Sequence, residues 1–398
     1  MSVEGCVGMR GLERVRARGV RSLVGPAVVG LLVAVVAPAA ARTGQATSAG
    51  RTEAAAAAVT VPAVTANPIP VPELPVLPIT SPEPAPIPTE FAPVDQPGPA
   101  LQVPTGVLDA ALDCPAPLSE ATREVVLMIP GTTVDPDIAF SWNYMRALDA
   151  EGIPFCSVTL PAHTDGDIQI AAEYVVHAIR TIHAGTGKRV ILFGWSQGAS
   201  TLPRWALRWW PDVRPMTASL VGLAPLNNRG SIVGTGPCFL GSCFPAAWQQ
   251  SVGSAFMAAL NSGPQTFDEI AYTAIHSRLD EVVTPNADLA LGLLPEGPNV
   301  LNVAIQDVCA TDLTEHLTII ASPTAYAIAL DAFNHPGEPA DLARVTIPQP
   351  CLAGTMPHVS PLALLAYEVS LAAAVPIRLA SDHVDREPPL ACYVTSSC

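Results

Sequence analysis

Residues 190–199 read VILFGWSQGA, a run of four apolar residues followed by a serine that stands between two glycines. A short, continuous apolar run is typical of a strand that is buried on both faces. The residues that follow favour a helix as far as Trp210, and Pro211 ends it. A sharp turn from strand to helix lifts a serine hydroxyl clear of the sheet, and glycines are needed where a side chain would clash. The stretch therefore predicts that Ser196 is a nucleophile at the carboxyl end of a strand, the alternative being a glycine turn with a capping serine.

Short apolar runs and helical patterns alternate along the chain. The runs that we interpret as strands are residues 125–129, 155–160, 190–193, 219–224, 270–275 and 300–305. Between Ile168 and His183, apolar residues recur at helical spacing. This alternation predicts an α/β fold, with a mostly parallel sheet and helices on both faces. In sheets of this kind, active sites lie at the carboxyl ends of the strands.

The composition narrows the class of protein. With 398 residues, 49% apolar content and 14% charged residues, the chain is able to bury a full core. The net charge of −15 argues against nucleic-acid binding, which needs clustered lysine and arginine. Residues 1–41 combine several arginines, an apolar run and small residues, which is the pattern of a cleaved secretion signal. An uncleaved membrane anchor is the alternative, because the apolar run approaches the length of a spanning helix.

Residues 42–106 are rich in alanine and proline, and nine prolines fall between residues 68 and 88. Proline lacks the amide proton that helices and sheets require, so we expect an extended linker that holds a domain off the cell surface and offers a cell-wall contact. A disordered leader without a partner is the alternative. The catalytic domain is predicted over residues 107–398. Outside the signal, eight cysteines remain, and an even set in an exported chain indicates disulfides. The chain has no C-x-x-C pair, so no zinc site is expected.

A serine hydroxyl is a weak nucleophile and needs a histidine base, which a carboxylate must orient. In a fold of this kind the partners follow in the order serine, acid, histidine, so histidines that precede Ser196 are excluded. Asp280 comes just after the predicted strand 270–275, with Glu281 as its near rival. His316 follows the strand 300–305, and we favour it as the base. The competing histidines lie in proline-rich sequence typical of a surface: His335, His358 and His383.

The tetrahedral intermediate of acyl transfer carries a negative oxygen, which backbone amides stabilise. One donor is expected to be the N–H of Gln197, directly after the nucleophile. The second is expected from the loop after strand 125–129, where Thr132 is the candidate. Because the base must be neutral to accept a proton, activity is expected to fall as the pH drops through about 6.5.

These residues resemble the Candida antarctica lipase B-like family of α/β-hydrolases, including secreted bacterial relatives, from about residue 114 to residue 351. The matching stretches are residues 130–132, 172–176, 195–198, 248–250 and 253–255. The resemblance implies a secreted, monomeric serine esterase or lipase that acts on carboxylic esters such as acylglycerols, contacts a lipid interface and requires no cofactor or metal. A cutinase-like polyesterase or an acyltransferase is the alternative among enzymes. A surface-tethered binding protein without turnover is the alternative from another class.

The resemblance also implies pocket residues and disulfides. Trp195 resembles the residue that floors the alcohol pocket, core packing being its alternative, and Gln250 lies in a stretch near the pocket. Leu226 stands where the family carries an aspartate, which makes the acyl side more apolar. Pro203 is expected to kink the helix after the nucleophile or to produce a π-bulge. The implied disulfides are Cys114–Cys156 and Cys309–Cys351, which leave Cys238–Cys243 and Cys392–Cys398.

A further apolar stretch covers residues 362–374. It is too short for a membrane span, and Glu368 interrupts it. We expect a core helix or a helix that covers the substrate.

Overall fold

The structure is a computed structural model that describes residues 86–231, 238, 242–283, 292–345, 351, 354–378 and 383–395. The predicted signal segment and most of the predicted linker lie outside the described residues, and so does Cys398. Within the described part of the chain, the search for a helix with the length and apolar character of a membrane span finds none.

A mostly parallel sheet forms the centre of the described chain. Its strands are β1 (Leu112–Asp113), β2 (Val125–Ile129), β3 (Phe155–Val158), β4 (Val190–Trp195), β5 (Thr217–Leu223), β6 (Ala271–His276) and β7 (Val300–Ala304). Their spatial order is β1-β3-β2-β4-β5-β6-β7. β1 pairs antiparallel with β3, and the remaining neighbours run parallel. The predicted α/β-hydrolase fold is confirmed, and a strand lies at each of the six predicted positions.

Helices cover both faces of the sheet. They are α1 (Thr105–Ala111), α2 (Pro136–Phe140), α3 (Tyr144–Ala150), α4 (Ile168–Thr186), α5 (Thr201–Trp209), α6 (Pro245–Gln249), α7 (Ala255–Leu260), α8 (Ile305–Val308), α9 (Pro323–Asn334) and α10 (Pro361–Arg378). The alternating side chains of β2 separate two apolar clusters: Leu127 packs with residues of α4 and α5, and Met128 packs with residues of α3 and α9. Every residue of β2, β4 and β5 is buried, as expected for parallel strands between two helical layers.

The interruption expected at Pro203 lies elsewhere. Residues 196–199 form a short 3-10 turn, and Ser200 then leaves helical geometry with φ −156° and ψ −73°. α5 begins afresh at Thr201, which makes Pro203 its third residue. The first amides of a helix have no partner within it, so a proline at this position removes no hydrogen bond. The prediction of a kink or π-bulge at Pro203 is therefore wrong, and the break is at Ser200.

The domain begins earlier than the predicted boundary at residue 107. Ala92 is buried in the core, and Val103 packs against the same apolar cluster. Trp210 donates its indole N–H to the carbonyl of Pro99 at 2.9 Å. Arg214 donates to the carbonyl of Val94 at 2.6 Å. We call residues 91–103 the N-terminal strap; it belongs to the folded domain and not to the linker, because donors from the domain satisfy its carbonyls.

Three of the four expected disulfides form: Cys114–Cys156, Cys238–Cys243 and Cys309–Cys351. The first joins the segment after β1 to β3. The pairing of Cys392 with Cys398 stays a prediction, because Cys398 lies outside the described residues.

Candidate active site

The turn after β4 explains why the nucleophile stands between glycines. Ser196 has a positive φ of 56°, a strained conformation for a residue with a side chain. A Cβ on Gly194 would lie 2.0 Å from the carbonyl oxygen of Gly198, and a Cβ on Gly198 would lie 2.1 Å from that of Ile129. Only glycine fits at either position, so the tight turn holds the Ser196 hydroxyl at the carboxyl edge of the sheet.

Three side chains that are distant in sequence meet at this edge. The Nε2 atom of His316 lies 3.0 Å from the Oγ of Ser196. Its Nδ1 lies 2.9 Å from the Oδ2 of Asp280, and both of these side chains are only 3% exposed. The other oxygen of Asp280 accepts the N–H groups of Val282 and Val283 at 3.0 and 2.8 Å. The arrangement fixes the carboxylate, and the carboxylate in turn fixes the ring and its tautomer.

The competing residues lie apart from this arrangement. Glu281 accepts the backbone N–H of His316 at 3.2 Å, so it contacts the peptide group of that histidine. His335 contacts the carbonyl of Asp331 through its Nδ1 at 2.8 Å. The remaining two competitors, His358 and His383, are exposed to solvent.

Charges around the histidine set its protonation. Burial alone would lower the pKa of His316, but the charge of Asp280, the hydrogen bond to Asp280 and the nearby carboxylates of Glu281 and Glu315 outweigh burial and raise this pKa above 6.5. Burial alone would raise the pKa of Asp280, whereas the interaction with His316 and the bound amides lower it below 3.8. Asp280 is therefore ionised at neutral pH, and a protonated ring at His316 is stabilised.

A hydrogen-bond network holds the residues predicted for the oxyanion hole. Thr132 Oγ1 donates to the side-chain oxygen of Gln197 at 2.9 Å. The amide of Gln250 donates to the same oxygen at 3.0 Å and to Thr132 Oγ1 at 3.2 Å. A Cβ added to Gly131 would lie 3.2 Å from the Cβ of Ser196, so the loop approaches the nucleophile closely. Gln250, predicted as a pocket residue, thus makes its contacts with the two oxyanion candidates.

The other two predicted pocket residues are buried. Trp195 donates its indole N–H to the carbonyl of His316 at 2.8 Å, and its ring centre lies 5.7 Å from that of the imidazole. Leu226 is 3% exposed and packs in the apolar cluster that contains α5. Trp195 therefore helps to hold His316 in position.

Helix α10 borders the site. The hydroxyl of Tyr367 donates to the carbonyl of Leu317, the residue after His316, at 3.1 Å, and the Tyr367 ring stacks on Trp142. Apolar side chains on the other side of α10 face solvent, with Leu362 77% and Val369 62% exposed. One face of the helix thus packs on the core, and an apolar face beside the loop that carries His316 is open to solvent.

Two residues that hold the loop around Thr132 and Thr133 were not found from the sequence. Asp165 accepts the backbone N–H of Thr133 at 2.9 Å, and Arg378 donates to the carbonyl of the same residue. Neither residue belongs to a motif, and neither is near Thr133 in sequence, so no local pattern points to them. Among the described residues, no group of three histidines, cysteines or acids is placed to hold a metal ion.

No protein-family model matches the chain. It is 29% identical over 239 residues to lipase B of Pseudozyma antarctica, a match that covers 59% of this chain and 68% of that protein. It is also similar to the crystal structure of Aspergillus fumigatus lipase B, with a TM-score of 0.68, 28% identity and coverage of 78% of this chain and 76% of the other. Two lipases thus match over most of their length, and the second has the same fold. The chain therefore shares the α/β-hydrolase fold of these lipases, is similar to lipase B-like proteins in sequence and is a carboxylic-ester hydrolase.

Proposed function

We propose that the protein is a secreted serine esterase or lipase that cleaves esters through an acyl-enzyme on Ser196. The observation that carries this proposal is the chain of contacts from Ser196 Oγ to His316 Nε2 at 3.0 Å and from His316 Nδ1 to Asp280 at 2.9 Å. A hydroxyl, a base and a buried carboxylate, bonded in this order, are the groups that acyl transfer through a serine needs. The base accepts the serine proton, and the carboxylate stabilises the protonated base.

In the first half of the reaction, Ser196 Oγ attacks the ester carbonyl and His316 Nε2 accepts the serine proton. Asp280 stabilises the imidazolium that forms, because its carboxylate is ionised and bonded to Nδ1. The carbonyl oxygen becomes negative, and the N–H of Gln197 together with Thr132 donates to it. His316 then gives the proton to the leaving alcohol, and the acyl group stays on the serine.

In the second half, water takes the place of the alcohol. His316 accepts a proton from water as the water oxygen attacks the acyl carbon, and the serine is released when the proton passes back to Oγ. The same two donors stabilise the second oxyanion. No atom from a cofactor or metal enters this balance.

Apolar esters such as acylglycerols are the proposed substrates. The exposed apolar residues of α10 lie beside the loop that carries His316 and offer a surface for acyl chains or a lipid interface. Leu226 adds apolar character where the family carries an acid. Export is supported by the disulfides, which persist in oxidising compartments.

The test combines active-site labelling with a substrate panel. A fluorophosphonate probe is expected to label the wild-type protein and to leave Ser196→Ala unlabelled, while Ser370→Ala, a change at an exposed serine of α10, labels normally. A series of p-nitrophenyl esters is expected to show turnover that increases from short to medium acyl chains. Equal labelling of Ser196→Ala, or a folded wild-type protein without label or turnover, would favour a binding protein instead.

A further inference from the structure

Helix α10 contacts the catalytic machinery at two places. Near its middle, Tyr367 bonds to the carbonyl of Leu317, beside the proposed base. At its end, Arg378 donates to the carbonyl of Thr133, beside the proposed oxyanion residue, and lies 3.5 Å from the carboxylate of Asp135. At a rise of about 1.5 Å per residue, the two contacts are roughly 16 Å apart along one rigid element.

We propose that Arg378 is a positioning residue that fixes the oxyanion loop, which we define as residues 131–135. Through Arg378, α10 connects the loop that stabilises the negative oxygen with the loop that carries the base. The inference rests on the proposed function, because it takes Thr132 as part of the oxyanion hole.

The oxyanion loop needs external support because its backbone is strained. Thr133 has a positive φ of 67°, a conformation that residues with side chains adopt only when their surroundings hold them in it. Both polar groups of its backbone are held by distant residues, the N–H by Asp165 at 2.9 Å and the carbonyl by Arg378. Thr164, itself at φ 69°, donates its hydroxyl to the carbonyl of Gly131. Removing one of these supports allows the loop to relax away from the geometry that suits the oxyanion.

Arginine suits this position better than lysine. The planar guanidinium donates in several fixed directions, so one side chain is able to reach a carbonyl and a neighbouring carboxylate together. The side chains of Arg378 and Asp135 are 15% and 27% exposed, so both are largely shielded from water. Asp135 also contacts the Nδ1 of His163 at 2.6 Å, which holds the carboxylate from its other side. A lysine ammonium is a single point donor and preserves only part of this arrangement.

The expected consequence is a loss of transition-state stabilisation. If the loop shifts by about 1 Å, kcat falls by about 10- to 100-fold, and KM changes little because the ground-state ester gains little from the oxyanion donors. A residue with a merely structural role would lower the melting temperature and leave the stabilisation of the oxyanion in the folded enzyme unchanged.

The experiment compares an ester with its thionoester, in which sulfur replaces the carbonyl oxygen. Sulfur is a poor acceptor, so the ratio of kcat/KM for the two substrates reports on the oxyanion hydrogen bonds. We expect Arg378→Met to lower this ratio by about 10-fold and Arg378→Lys to lower it less. The kcat for the oxygen ester should decrease in the order wild type, Arg378→Lys, Arg378→Met. Arg180→Met is the matched control, since Arg180 pairs with Asp212 at 2.8 Å on the surface, and its ratio should equal that of wild type.

Melting temperatures establish that each variant is folded at the assay temperature. If Arg378→Met shows the same ester-to-thionoester ratio as the wild type, the inference is overturned. If Arg378→Met does not fold, a wild-type ratio in Arg378→Lys overturns it instead. Failure of the proposed function gives a different result: the wild-type enzyme itself would then show no greater preference for the oxygen ester than the uncatalysed reaction does.

Discussion

Replacing Glu281 by glutamine is expected to stabilise the protein at pH 8 and to extend its activity to lower pH. Partial burial and the charge of Glu315 raise the pKa of Glu281 from 4.5 to about 7. A carboxyl whose pKa is higher in the folded state favours folding below the unfolded pKa, and this contribution is lost as the pH rises from 4.5 through 7. The full difference corresponds to about 3 kcal/mol at 1.36 kcal/mol per pH unit. Because Glu281 keeps part of its surface in contact with solvent, screening reduces the expected gain at pH 8 to about 1 kcal/mol.

The same change acts on the proposed base. The carboxylate of Glu281 is one of the charges that raise the pKa of His316. Glutamine still offers an oxygen to the backbone N–H of His316, which Glu281 accepts at 3.2 Å, but it carries no charge. The pKa of His316 therefore falls, and the acid limb of the activity profile moves to lower pH.

Urea unfolding at pH 4 and pH 8 measures the first effect, and kcat/KM for a soluble p-nitrophenyl ester between pH 5 and pH 9 measures the second. Glu296→Gln, a change at an exposed glutamate before β7, serves as the control and should alter neither. Glu281 is mostly protonated at pH 4 in both folded and unfolded chains, so the variant should gain little stability there. An equal change in stability at both pH values, or an acid limb that does not move, would refute the reasoning.

Three further substitutions test other parts of the molecule. Asp280→Asn should lower kcat by about 10³- to 10⁴-fold and shift the acid limb of the p-nitrophenyl ester profile to lower pH, because its charge and hydrogen bond raise the pKa of His316; an unchanged kcat would exclude Asp280 as the orienting acid. Gly198→Ala should abolish fluorophosphonate labelling or prevent folding, since its Cβ would lie 2.1 Å from the carbonyl oxygen of Ile129; normal labelling would contradict the geometry of the turn. Arg214→Met should lower the free energy of unfolding in urea by about 2 to 3 kcal/mol, because buried carbonyls lose their donor; a loss no larger than that in Arg180→Met would show that the N-terminal strap contributes little.

Most of the fold and the central residues of the site could be predicted because their signals are local. Buried parallel strands leave continuous apolar runs, and β2 and β4 begin at the predicted residues. The turn around Ser196 is specified by glycines that no other residue can replace. The chain order of the partners then selects Asp280 and His316, whose side chains the structure brings to within 2.9 Å of each other.

The supporting contacts could not be predicted, because an arginine that binds backbone carbonyls leaves no pattern in the sequence. Arg378 lies 245 positions from Thr133, and in the sequence it reads as an ordinary basic residue near the end of a helix. Only the folded chain shows that its donors reach a strained carbonyl.

The place of the N-terminal strap in the folded domain could not be predicted from composition either. Its composition continues that of the preceding proline-rich sequence, and proline disfavours helices and sheets because it lacks an amide donor. Proline nevertheless keeps its carbonyl, and in the strap the carbonyls of Pro93 and Pro99 accept from Arg208 and Trp210. These donors lie in the stretch 205–214, WALRWWPDVR, which carries several long donor side chains at the end of α5. A proline-rich segment thus becomes part of a domain where the domain supplies donors, so the boundary depends on α5 as much as on the composition of the strap.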